Sequence, residues 1–386
     1  MALPGYYGCA LIRLPATRFD YRPVLNLAQQ GGVYVRLEKL RQSFKGELDA
    51  ILITRPENQR YLSGFRGGEG ALLITQEKAL VLTDFRYYDQ VAEEAPDFEL
   101  VKVEDKDSQA LKRCLKELEV KALGFESTHL PFAQYQEWKK ATRGTKWIPT
   151  RDMVENLRLI KDDQELAKMK KAIAIADTAC DYIRGFIEPG MPETQVAWEL
   201  EVHMRTHGAE GVAFSTIVAA GPNGAKPHAV PEDRQIKEGE PIVMDMGARL
   251  DGYHSDLTRT VCLGEPHARL QEIYDIVLQA QLAAEEGAKP GMTGQEVDAL
   301  ARAVIVEAGY GKQFGHGLGH GVGLAVHEGP KLGLQSREPL KPGMLCTIEP
   351  GIYLTDWGGV RIEDIVLFTS EGVEVLSRAR KELRTR

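Results

Sequence analysis

A chain of 386 residues exceeds one ordinary domain, and 43% hydrophobic with 27% charged side chains is the balance of a globular protein with a sizeable core. A formal charge of −8 argues against nucleic acid as a partner, because phosphate backbones ask for a basic face. No apolar run approaches a membrane span, and the five cysteines (Cys9, Cys114, Cys180, Cys262, Cys346) lie scattered without a C-x-x-C, which excludes a zinc ribbon and leaves a reducing, cytoplasmic setting with no membrane partner as the expectation.

Residues 1–34 show no clear hydrophobic period and are read as an extension, disordered or added by an over-long gene start. From Val35 helix and strand alternate. The pattern predicts a helix over 36–46, a buried strand in "DAILIT", a hairpin from "GALLIT" and "KALVLTD", an amphipathic helix in "SQALKRCLKELEV" and a strand in "ALGFE". This is a small α/β domain over residues 35–156, read as a scaffold or dimerisation unit. Asp84 and Arg86 in "LTDFRYYDQ" could reach across a domain interface but are not assigned to a site.

The remainder, 157–386, repeats itself. "EPGMPETQVAWELE" from Glu188 recurs as "KPGMTGQEVDALAR" from Lys289, each a Pro-Gly turn entering an amphipathic helix, with helix starts placed at Thr194 and Thr293. A long helix precedes each copy. "GEPIVMDMG" and "GMLCTIEPG" echo one another as well, with Asp245 and Glu349 each ending an apolar strand at the same distance from a preceding glycine, Gly239 or Gly343. Two halves of helix, helix, strand and hairpin predict a pseudo-two-fold α+β domain.

"IVMDMGARLDGYHSDLTRTVCL" reads as a hairpin about Asp251-Gly252. A two-residue loop puts Asp245 diagonal to Asp256, and a four-residue loop puts them opposite. Both registers place the two carboxylates on one face. In the second half Glu349 ends one strand, and "VRIEDIVLF" offers Glu363 or Asp364 as the partner, a choice that periodicity leaves open. If the halves face each other, four carboxylates and a neutral imidazole carry a charge that two divalent cations balance. Oxygen-rich ligation with a single imidazole favours Mn²⁺, Co²⁺, Fe²⁺ or Zn²⁺.

"FGHGLGHGVGLAVHEGP" matches neither G-x-G-x-x-G nor a P-loop, so its glycines read as close backbone approach, and His316, His320 and His327 as ligand, neighbour or proton carrier. His203 and His207 lack the Glu of H-E-x-x-H and read as a helix face and its C-terminal end. His228, in the Pro/Gly-rich "GPNGAKPHAVPED", is a candidate substrate contact.

In order, "DMGARLDGYHSDLTRT", "GHGLGHGVGLAVHEGP", "TIEPGIY" and "GVRIEDIV" resemble the pita-bread metallopeptidases. The preceding α/β domain makes the prolidase and aminopeptidase P branch the nearer match. The resemblance implies an α+β fold, with a pita-bread domain behind a smaller creatinase-like N-terminal domain. It implies two divalent metal ions per subunit, Mn²⁺ first, held by Asp245, Asp256, His320, Glu349 and Glu363, with Asp256 and Glu363 bridging. That selects Glu363 over Asp364. It makes His228 and His327 substrate-side groups, Glu349 the proton acceptor and Arg361 a support behind the ligands. His316 lies near without ligating. The implied activity is Xaa-Pro dipeptidase on short proline-containing peptides, with Lys331 or Arg337 for the substrate carboxylate. Xaa-Pro aminopeptidase is the alternative, and a non-catalytic peptide-binding module and a metal-free C–N hydrolase of creatinase type are the competing readings. A homodimer is the implied assembly.

Overall fold

The computed structural model describes residues 32–385, so the expected extension falls, but for its last residues, outside the described part, as does Cys9. The first unit is a six-stranded mixed sheet in the order Glu99–Lys102, Ala79–Thr83, Ala71–Thr75, Ala50–Ile53, Ala122–Glu126, Lys146–Thr150. Its central strands are buried on both faces, which explains their unbroken apolar sequence. Alternate side chains part to two cores. Ile51, Ile53, Leu72, Ile74 and Val81 pack with Leu40 and Phe44, while Leu52, Leu73, Leu80 and Leu82 pack with Leu111, Leu115 and Trp138. The first helix spans Val33–Gln42, earlier than expected, with Gly32 as its N-cap and positive φ at Lys45 and Gly46 turning the chain away.

The second unit has the expected duplication. Helices Asp163–Phe186 and Glu193–Thr206 cover the sheet of Ile217–Ala220, Ile242–Met246 and Leu257–Val261. Helices Ala268–Gly287 and Gly294–Glu307 cover the strands that include Leu345–Ile348 and Asp364–Phe368. The two Pro-Gly turns make matching bonds: Gly190 N donates to Ile236 O at 2.8 Å and Gly291 N to Leu340 O at 2.8 Å. The N-caps are Pro192 and Thr293, equivalent positions of the repeat. Thr194, expected at a helix start, lies instead in the first turn, its hydroxyl 3.1 Å from Asp233. Thr293 forms a capping box with Glu296. Cys114, Cys180, Cys262 and Cys346 are buried and unpaired, and among the described residues no helix is long and apolar enough to cross a membrane.

Asp251 and Gly252 both take positive φ, 51° and 74°, so the two-residue loop forms and fixes the register. Leu250 pairs with Tyr253 and Asp245 with Thr258, which leaves Asp256 diagonal to Asp245. In the second hairpin Ile348 pairs with Asp364 and Gly351 with Arg361, bringing Glu349 opposite Glu363. The hairpins are sewn together where Glu363 N donates to Thr258 O at 3.0 Å and Arg361 N to Thr260 Oγ1 at 3.0 Å. Gly252→Ala is expected to cost about 1–2 kcal/mol, because a Cβ at this φ is strained. That Cβ would also lie 2.3 Å from the guanidinium of Arg60. A lower urea midpoint with activity otherwise intact checks it.

Candidate metal centre

Donor atoms of Asp256, His320 and Glu363 lie within 4.8 Å of one another. Asp256 comes from the first hairpin, Glu363 from the second and His320 from the short strand Gly319–Gly321. Close approach explains the glycines beside the histidine. A Cβ at Gly319 would stand 2.0 Å from Thr347 O, and one at Gly321 would stand 1.8 Å from Gly329 O. His320 Nδ1 bonds the Gly321 carbonyl at 3.0 Å, which makes Nδ1 the N–H and leaves Nε2 a free acceptor. Nε2 points into the acids, 3.6 Å from Asp256 and 3.4 Å from Glu349.

Glu349 and Asp245 adjoin this triplet. Glu349 Oε1 accepts from Thr347 Oγ1 at 3.2 Å. Asp245 Oδ2 is taken by Arg361 at 2.7 Å, while its Oδ1 is buried with no hydrogen-bond partner. An orphaned buried acceptor beside three further carboxylates and one imidazole nitrogen is a donor set that fits a divalent cation.

Burial dominates the electrostatics. It raises the Asp256 carboxyl well above its usual range, and repulsion from Glu363, Asp245 and Glu349 adds to it. Glu363 is raised likewise by burial and by Glu349 and Asp245. Burial lifts Asp245 as well, against the pull of Arg361, and pushes Glu349 up to about 7. Burial lowers His320 to about 4, so its imidazole is neutral at physiological pH.

The adjacent acids at 363 and 364 have opposite surroundings. Glu363 Oε2 accepts from Thr258 Oγ1 at 2.7 Å within the cluster. Asp364 points to the other side, where Arg259 (2.7 Å), Lys381 (2.6 Å) and Gln281 (3.2 Å) satisfy it. Geometry thus places Glu363 with the cluster and leaves Asp364 in a buried ion network.

The remaining expected residues sort as follows. His327 is exposed, its ring centroid 4.3 Å from that of His320. His228 is exposed, and its charge bears on both His327 and Asp245. His316 stands aside, bonded to Tyr353 Oη at 3.0 Å. Lys331 is exposed and pairs across the strand with His320, whereas Arg337 is simply exposed. On the surface Arg86 pairs with both Asp84 and Glu69. His203 and His207 stack at the end of their helix. Three residues escaped the sequence reading: Thr258, Thr347 and Tyr353, the last donating to or accepting from His316 and lying 2.9 Å from Arg361. The period of two that links Asp256 to Thr258, and Thr347 to Glu349, is the signal that marks the threonines.

Residues 167–370 match the model of metallopeptidase family M24, more than half of the chain. This chain belongs to metallopeptidase family M24. Residues 36–160 match the creatinase/prolidase N-terminal domain. A protein named Xaa-Pro dipeptidase from Pyrococcus horikoshii is 41% identical to this M24 chain over 88% of it and 95% of the relative. The Xaa-Pro dipeptidase from Bacillus anthracis superposes with a TM-score of 0.89 at 44% identity, covering 92% of this chain and 99% of that one. An X-Pro aminopeptidase from Thermotoga maritima gives 0.84 at 38%, covering 90% and 99%. The M24 assignment agrees with the pita-bread architecture and with the acidic cluster.

In the chelated protein the cluster carboxyls have folded values above their unfolded values of about 4. Their stabilising contribution is whole below that range and is lost as pH rises through the folded values, about 7 for Glu349. The melting temperature of chelated protein should therefore fall from pH 5 to pH 8, and divalent cation should cancel the fall. A flat profile would reject it. Asp364→Asn should cost about 3–5 kcal/mol by leaving Arg259 uncompensated. Glu363→Gln should instead raise the melting temperature of the metal-free chain while abolishing metal binding, as read by calorimetry.

Proposed function

We propose that this peptidase is an Xaa-Pro dipeptidase that hydrolyses the bond before proline in dipeptides. The observation that carries the reading is the buried meeting of Asp256, His320 and Glu363 in a fold aligned over 99% of a Bacillus anthracis Xaa-Pro dipeptidase. On this reading Asp245, Asp256, His320, Glu349 and Glu363 are the residues that would hold two divalent cations. Mn²⁺ is the preferred ion, and Co²⁺, Fe²⁺ and Zn²⁺ suit the same donors. Residues 35–156 form the N-terminal domain, 157–386 the catalytic domain, and a cytoplasmic homodimer is the working state.

The bound cations would supply an acidified water and polarise the scissile carbonyl. The chain's own residues do the rest. Thr258 and Thr347 orient the carboxylates of Glu363 and Glu349 through hydrogen bonds of 2.7 and 3.2 Å. Arg361 favours the ionised form of Asp245. Glu349, its carboxyl near 7 in the free chain, takes the proton of the attacking water and delivers it to the departing proline nitrogen. His327 and His228, both exposed, donate N–H to the carbonyl oxygen as charge develops there. Lys331, across the strand from His320, is the cation for a substrate carboxylate one residue beyond the cleaved bond.

The Thermotoga maritima neighbour favours a second reading, Xaa-Pro aminopeptidase. Turnover of Xaa-Pro against Xaa-Pro-Yaa decides between them, and a dipeptidase should prefer the former by about tenfold or more. Cleavage of Xaa-Ala but of neither proline peptide would reject both. Asp256→Asn should abolish turnover and metal binding together, and full activity in that variant would remove Asp256 from the centre.

A further inference from the structure

Glu328, the residue after His327, has no part in the chemistry derived above, yet its carboxylate is surrounded with unusual care. Its side chain is 7% exposed and lies between Arg158 and Lys161, which are 3% and 1% exposed. Lys161 Nζ donates to Oε1 at 2.8 Å, Arg158 donates to Oε2, and Ala325 N reaches Oε2 at 3.3 Å. Gly323 makes the room, since a Cβ there would fall 2.5 Å from Glu328 Oε1. The carboxylate is therefore folded back under the loop 322–327.

That loop carries His327, whose exposed ring makes no side-chain hydrogen bond among the described residues. The ring of His320 meets it at 4.3 Å between centroids but no hydrogen bond holds it, so the adjoining backbone does most to set where the imidazole stands, and the fixed point of that backbone is Glu328. The anchor extends further. Arg158 Nη1 donates to Asn58 Oδ1 at 2.8 Å, and Asn58 Nδ2 donates to Glu126 Oε1 at 2.5 Å. Glu126 Oε2 in turn accepts from Thr54 N and Arg55 N, at 2.6 and 2.8 Å, at the end of the central strand of the N-terminal sheet. Buried ion pairs give little net stability over apolar packing of equal volume. Two buried cations about one carboxylate point instead to a demand for fixed geometry.

We infer that Glu328 is a positioning residue for His327, and that Arg158 and Lys161 lock it so that the N-terminal sheet holds the substrate-side imidazole in place. This rests on the reading of His327 as a substrate-side group. The test is a double-mutant cycle on an Xaa-Pro dipeptide with metal content measured in each protein. Glu328→Gln should lower kcat about 10- to 100-fold with KM little altered and metal content unchanged. Amide hydrogen exchange in residues 322–327 should quicken. In a His327→Ala background the same substitution should cost less than about threefold, because the group it positions is gone. Losses that multiply, or an unaltered kcat in Glu328→Gln, overturn the inference. If Glu328→Gln does not fold, Lys161→Met replaces it in the same cycle and is judged by the same two outcomes. Failure of the unmutated protein to cleave any Xaa-Pro peptide would reject the activity reading instead. The exchange rate of 322–327 then decides the positioning role by itself, with unchanged exchange overturning it.

Discussion

Asp245, Asp256, Glu349 and Glu363 repel one another in an interior where water screens them poorly. The rest of the catalytic half is arranged around that repulsion. Arg361 relieves one acid directly, and the hydroxyls of Thr258 and Thr347 hold two others. One guanidinium does not offset four carboxylates, so in the free chain burial and mutual repulsion favour their protonated forms, which bound cations would oppose. Stability and metal binding are therefore two aspects of one electrostatic problem, as linkage requires.

Positions 363 and 364 show how the backbone separates chemistry from architecture. Strand alternation sends neighbouring acids to opposite faces. One joins the cluster. The other meets Arg259, which also donates to the carbonyls of Thr258, Glu363, Ala379 and Arg380 and so ties both hairpins to the C-terminal segment. Two residues of nearly equal chemistry thus diverge because a strand turns its side chains by half a revolution at each step.

Much of this was legible in the sequence because the relevant signals are local. The Asp251-Gly252 turn, the glycine-to-acid spacing of the two hairpins and the repeated Pro-Gly turns all lie within short windows, and the hairpins and the duplication formed as read. The helix start placed at Thr194 lies two residues late, because Pro192 occupies the N-cap at the position where the repeat carries Thr293. Tyr353 and the Arg158–Lys161–Glu328 group escaped for another reason. Tyr353 meets His316 from 37 residues away and Arg158 meets Glu328 from 170, and no short pattern encodes such meetings. The choice between Glu363 and Asp364 needed either the family resemblance or the fold itself.

The duplication has a consequence for how the centre comes into being. Asp245 and Asp256 belong to the first repeat, Glu349 and Glu363 to the second, and the bonds from Glu363 N to Thr258 O and from Arg361 N to Thr260 Oγ1 run along the seam between them. Neither copy alone contains more than half of the acidic donors. A cation arriving early during synthesis would find only an incomplete cradle, so tight capture awaits the closing of that seam. On the proposed ligand set, occupancy would report that both copies have met in register, and the ion would act as the last rivet of assembly as well as the instrument of catalysis.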